Sequence, residues 1–185
     1  MNLQHRLRKM NQQKRSYTTG TVELINDQWI FFDDENEEAS MLEEFTDQEV
    51  EVYLINKWEK GVYTQDGLMM MHDYFHKLEH GNKVRIPKSL PFAYNEFLNS
   101  LCDDTFTKFT ATLNQLSFSL FDCIYCHNYL MYTLPEENKE GVNFITYDNT
   151  EIICSVQHHF TRGKQTKDRF EFTLATGKRT LLSTL

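Results

Sequence analysis

Cys123-Ile124-Tyr125-Cys126-His127 is the string whose residue types and spacing come nearest to a known chemistry. It has the form of a c-type haem attachment. That chemistry needs export from a reducing compartment, and the string lies inside a helical periodicity rather than a loop, so the haem reading is set aside. A metal centre is the next possibility. On a helix Cys123 shares a side with Cys126 at i+3 and His127 at i+4, and the three can hold one zinc if a fourth ligand joins them. Cys154 and His158 are the obvious completion. In one extended strand, however, those two stand about 13 Å apart, so only one of them, or His159 from the opposite face, can take part. A redox role needs the CxxC at a helix N-terminus, where the dipole lowers the thiol pKa. Here the pair falls in the C-terminal half of the expected helix, where the dipole opposes the thiolate.

Other constellations are weaker. His72, His76 and His80 recur every four residues, with Asp73 and Glu79 between them. On a helix they line one face and suit zinc, iron or nickel. Their neighbours favour strand and loop, where they are an exposed row. Across Cys154–Arg162, alternation puts Cys154, Val156, His158 and Phe160 on one face and His159 on the other. A buried histidine there needs a hydrogen-bond partner. A nucleophilic pair of Cys126 with His158 lacks an orienting third group and an oxyanion site. Arg162, Lys164, Lys167, Arg169, Lys178 and Arg179, with Phe170 and Phe172 near them, form either solvated loops or a surface for RNA or phosphate. No GxGxxG, P-loop, HExxH or GxSxG pattern is present.

The elements that must carry these residues are read from periodicity. Leu3, Leu7 and Met10 make a narrow apolar stripe for a short helix in residues 1–16, too short to stand alone. Residues 17–88 read as five or six short strands with turns at Asn26-Asp27, Asn56-Lys57 and Asp66-Gly67. Close spacing suggests a small SH3-like β-barrel. Ser89 and Pro91 start a helical segment. Phe106, Phe109, Leu113, Leu116, Leu120, Cys123, His127 and Leu130 then step by three and four, which predicts a central helix of about 25 residues and 38 Å. Thr105, Thr107, Thr110 and Thr112 weaken it locally, and Pro135 ends it. Residues 136–141 read as a linker. Strands over 142–147, 151–162 and 168–175, with a tail at 180–185, predict an antiparallel sheet laid on the long helix.

Charge is sharply segregated. Residues 1–19 hold five Lys/Arg and no acid, residues 20–51 hold twelve Asp/Glu and no Lys or Arg, and residues 154–185 hold six Lys/Arg against two acids. The basic ends either lie beside the acidic stretch or serve as an arm for an anionic partner. The net charge of −8 argues against a generic nucleic-acid binder. The polar N-terminus carries no secretory h-region and no apolar run reaches a membrane span. A cytoplasmic address, reduced cysteines and no membrane partner follow as expectations.

The segments Leu116–Asn128, Cys154–Gly163 and Arg169–Arg179 together resemble a family of short proteins of unknown function from spore-forming bacilli. The resemblance covers the whole chain and implies a bacterial, cytoplasmic setting. It carries no activity and no site residue.

The combined reading is an α+β protein: an N-terminal arm or short helix (1–16), a small SH3-like β-barrel (17–88), and helices with a C-terminal antiparallel sheet on a central long helix (89–185). The leading function is a non-enzymatic binding or adaptor protein. Its expected partner is a protein, with nucleic acid as a second possibility through the basic termini. The alternative is a zinc-supported structural or sensor protein using Cys123, Cys126, His127, Cys154 and His158. A Cys/His-dependent enzyme is the minor third.

Overall fold

The computed structural model describes residues 3–133 and 138–184, with side chains from Arg6 onward. It divides into two compact units, Tyr17–Lys88 and a second formed by Met1–Ser16 with Ser89–Leu185. No helix among the described residues is long and apolar enough to cross a membrane. The expected terminator Pro135 and part of the expected linker lie outside the described residues.

The Tyr17–Lys88 unit contains β1 (Tyr17–Ile25), β2 (Gln28–Asp33), β3 (Ala39–Met41), β4 (Glu49–Leu54), β5 (Lys57–Gln65), β6 (Leu68–Met71), β7 (Phe75–Lys77) and β8 (Lys83–Pro87). They form one antiparallel sheet in the order β3-β2-β1-β8-β4-β5-β6-β7. Asn26-Asp27 and Asp66-Gly67 have positive φ at both residues, the geometry that a type I′ hairpin demands. The Asn56-Lys57 turn falls one residue earlier, at Ile55-Asn56. Gly67 is held by two requirements at once: its φ is +74°, and a Cβ there would lie 2.3 Å from Trp29 Nε1. The expected SH3-like barrel is corrected. Among the described residues no pairing joins β3 to β7, so the sheet stays open. Both end strands have only three residues, too few ladder bonds to close a cylinder.

The second unit contains α1 (Leu3–Asn11), α2 (Phe92–Ser100), α3 (Asp103–Gln115), β9 (Cys123–His127), β10 (Lys139–Asp148), β11 (Ile153–Arg162), β12 (Lys167–Leu174) and β13 (Arg179–Thr184). The strands form an antiparallel sheet in the order β13-β12-β11-β10-β9. Tyr94, Phe97, Leu98 and Leu101 from the α2 segment and Phe106, Phe109 and Leu113 from α3 are buried with Ile145, Tyr147, Cys154, Val156, Phe170 and Phe172 of the strands.

The expected central long helix is corrected: no such helix exists among the described residues, and α3 stops after 13 residues. Ser117 turns into the left-handed region at φ 70°. The Phe118 N–H reaches back to the Leu113 carbonyl at 2.9 Å, the six-to-one bond of a Schellman ending. Ser119 and Asp122 then form a capping box around a 3-10 turn at Leu120–Asp122. The three-and-four apolar spacing continues past Leu116, but Ser117 to Asp122 satisfy their backbone groups in a different way. Cys123–His127 is consequently free to join the sheet as β9. The expected α+β class is therefore corrected: among the described residues the architecture is mostly β, with short helices only.

The basic N-terminal segment is engaged within its own unit. Arg6 donates from Nε to Asp103 Oδ1 at 2.9 Å, from Nη1 to the Leu98 carbonyl at 3.2 Å and from Nη2 to the Leu101 carbonyl at 2.6 Å. Its guanidinium also lies 4.7 Å from the Phe106 ring centroid. One side chain thus satisfies carbonyls at the end of α2 and ties them to the Asp103 carboxylate at the start of α3. Lys9 bonds Thr107, and Arg15 forms a bidentate pair with Asp122. Arg6→Ala is expected to lower unfolding stability by about 2 kcal/mol in urea titration, since charge-assisted bonds to carbonyls are lost. Arg6→Lys should recover less than half of it, because an ammonium cannot span three acceptors in one plane. An unchanged midpoint for Arg6→Ala would refute the clamp.

Candidate functional site

The Cys/His string lies on a strand, not on a helix. A bulge opposite Thr146 and Tyr147 makes Ile124 an extra residue in β9. Cys123 then pairs with Tyr147 and Cys126 with Ile145, so both thiols face the core, while His127 pairs with Phe144 and faces outward. Cys154 is also opposite Tyr147, from β11. Two strand spacings, about 9.5 Å, therefore separate Cys123 from Cys154. Cys126 and His158 are two strands and one residue pair apart, about 12 Å by the same spacings. Among the described residues no group of three or more His, Cys, Asp or Glu is arranged to hold a metal ion. Burial pushes the Cys123 and Cys126 thiols up to about 12 and Cys154 up to about 11, which keeps them protonated and unreactive at neutral pH. His72 is exposed on the loop after β6 and His76 lies in β7.

Cys102 was not singled out by its sequence context. It is exposed and stands at the N-cap position of α3. Hydrogen bonding with the Thr105 side chain and backbone lowers its thiol pKa. Iodoacetamide is expected to modify Cys102 first in the folded chain, with Cys123, Cys126 and Cys154 following only in denaturant. Peptide mass mapping over time checks this; equal rates at all four sites would contradict the burial described.

His158 is fully buried and bonded at both nitrogens. Nε2 lies 2.8 Å from Asp168 Oδ1, and Nδ1 lies 3.1 Å from Asn143 Nδ2. Asn143 Oδ1 accepts from the Leu130 N–H at 3.4 Å. These partners assign a neutral ring with the proton on Nε2: Asp168 accepts it, and Nδ1 accepts from the Asn143 amide. Arg162 donates to Asp168 at 2.6 Å, and the His158 ring stacks on Phe170 at 4.4 Å. Burial lowers the His158 pKa despite the neighbouring carboxylate. Burial alone would raise Asp168, but the bonds from His158 and Arg162 outweigh it and hold that carboxyl below its ordinary value. The set is a neutral imidazole, a carboxylate and a guanidinium, with no free lone pair on His158 for a metal or a substrate proton.

A depressed histidine pKa means the folded state resists protonation. Its stabilisation is complete above the unfolded value of 6.5 and is lost as pH falls below it. Asp168 adds a second loss at lower pH, below the ordinary carboxylate range. Urea midpoints are expected to fall between pH 7.5 and pH 5.5. His158→Gln should be less stable by about 1–3 kcal/mol at pH 7.5 and show a smaller drop over that interval. An equal drop in the variant would remove His158 as the source.

The opposite face of the β9–β13 sheet has a different character. Registered rows run Tyr125–Thr146–Ser155–Thr173–Arg179, His127–Phe144–Gln157–Glu171–Leu181, Val142–His159–Arg169–Ser183 and Glu140–Thr161–Lys167. All the buried apolar residues of the sheet belong to the other parity. On the outward rows Tyr125 is 56 % exposed, Phe144 48 % and Leu181 66 %. Tyr132 stacks on His127 at 6.3 Å between centroids. A shallow concavity of about 680 Å³ is lined by Glu140, Val142, His159, Thr161, Lys167, Arg169 and Ser183 among others. His159 Nε2 is buried there without a hydrogen-bond partner among the described residues.

A family profile described as "Protein of unknown function (DUF2777)" matches residues 4–184. The chain belongs to this family. It is 28 % identical over 174 residues to the "Uncharacterized protein YisN" of Bacillus subtilis (strain 168), covering 93 % of this chain and 88 % of that protein. No solved structure matches. Membership brings a bacterial relative and no assigned chemistry, so the geometry alone distinguishes the two faces of the sheet. The inward face holds a closed polar network, and the outward face holds exposed rings, cations and hydroxyls.

Proposed function

We propose that the protein is a non-enzymatic binding protein and that the outward face of the β9–β13 sheet is its contact surface. The observation that carries this reading is the set of exposed large side chains, Tyr125, Phe144 and Leu181, in register on a sheet face that no described helix covers. Exposed aromatic residues on adjoining strands lose apolar contact for no gain in folding, which makes such a patch a mark of interaction. The chemistry of the inward side supports binding over catalysis. Its thiols are held protonated by burial, and both nitrogens of its buried histidine are already bonded.

A photo-crosslinking amino acid placed at Phe144 tests the reading in bacterial cells. Irradiation is expected to yield heavier adducts at position 144 and at most traces at Asn99, an exposed control on α2. Adducts no stronger at 144 than at 99 would overturn the assignment of this face.

A further inference from the structure

Resting on that reading, we propose that the outward sheet face binds single-stranded nucleic acid, with Tyr125 and Phe144 stacking on bases and Lys167, Arg169 and Arg179 meeting phosphates. The two rings stand on adjacent strands, diagonal to one another in the register. At that offset, about 7–8 Å, each can take its own base. His127, stacked with Tyr132, extends the aromatic strip along β9. The cations stand on β12 and β13, two to three strands from Phe144 and three to four from Tyr125, which places them about 12–16 Å from the first ring and about 19–24 Å from the second. Long side chains and the sugar between base and phosphate span the shorter gap, and further nucleotides of the strand cover the longer one.

The composition of the face favours a nucleic acid over a protein partner. A protein interface is depleted of charge at its centre and draws on packed apolar side chains. Here Thr146, Ser155, Gln157, Thr161, Thr173 and Ser183 surround the neighbouring rings, which suits base edges and ribose hydroxyls. His159 Nε2 has no hydrogen-bond partner among the described residues. Lys167 is in no ion pair among the described residues. Glu171 lies 3.7 Å from both Arg169 and Arg179, whose side chains are more than half exposed. At the rim, Lys139, Arg162 and Lys164 line a second hollow of about 670 Å³.

The negative charge of the whole chain does not oppose this. Of the 27 acids, 16 lie in the Tyr17–Lys88 unit, against six bases. The other unit carries 11 acids and 13 bases. A sheet face admits unstacked bases and not a duplex groove, so single strands are the specified form.

Fluorescence anisotropy of the full chain with fluorescein-labelled, mixed-sequence RNA of about 12 nucleotides tests the proposal. Single strands are expected to bind, with log K falling against log salt at a slope of about −2 for three cations. A duplex of the same sequence should bind at least about tenfold more weakly. Tyr125→Ala and Phe144→Ala should each weaken binding about tenfold or more, with unchanged circular dichroism. Lys167→Glu with Arg169→Glu should abolish binding and Lys108→Glu should leave it unaltered. No binding at about 100 µM, equal affinity for duplex, or equal loss in the Lys108 control would overturn the proposal. The adducts formed at position 144 separate the two levels. Nuclease-sensitive adducts support nucleic acid. Protease-sensitive, nuclease-resistant adducts leave a binding face but overturn this ligand. No adducts overturn both.

Discussion

Phe170 lies against Phe109 at 4.9 Å and Phe97 at 6.4 Å between ring centroids, and this aromatic contact sets the orientation of everything else in the second unit. Once Phe170 and Phe172 of β12 point toward α2 and α3, the period-two alternation assigns a face to every residue of the registered strands. Ile145, Tyr147, Cys154, Val156 and His158 go inward with them, and Tyr125, Phe144, His159, Arg169 and Leu181 go outward. The helices α2 and α3 have nine and thirteen residues and supply one apolar layer. One layer covers one face of a five-stranded sheet, and no described helix lies on the other.

The same contact explains why a polar network is tolerated inside. His158 stacks on Phe170 and sits edge-on to Phe97, so its ring fills aromatic space. Its two nitrogens still need partners, and Asn143 and Asp168 supply them from the flanking strands. An unsatisfied nitrogen at that depth would cost about 1–3 kcal/mol. Arg162 completes the set by neutralising Asp168 from the end of the same strand that carries His158. In the other unit, Glu51 is buried between Arg85 and the Tyr17 hydroxyl and follows the same rule. Buried charges in this molecule are met by a guanidinium.

Much of the local structure was legible in the residues. Asn26-Asp27 and Asp66-Gly67 announce hairpins because Asn, Asp and Gly tolerate the positive φ such turns need. The alternation of Cys154, Val156, His158 and Phe160 places one histidine inward and its neighbour outward, as in the folded strand. The spacing of three and four does not specify a long helix, because it is satisfied equally by a helix that ends before Leu116 and by apolar residues that reach the same core by another route. The barrel was misread because closure depends on whether end strands meet, and periodicity along a strand carries no information about that. Asn143, Asp168 and Cys102 gave no signal as site residues, since each acts through partners distant in the chain.

By itself the sequence determined the short-range features: which segments alternate, where the chain must turn, how the charge divides, and that no apolar run reaches the length of a membrane span. These depend on preferences of a residue and its neighbours within about one turn. Only the tertiary structure decided that Cys123–His127 is a strand, that the sheets are open, that Asp168 meets His158, and that no described helix covers one sheet face. The reason is that β9 takes its hydrogen bonds from β10, across an intervening stretch of chain. Competition for backbone partners over such separations is settled by packing, after local preference has had its say.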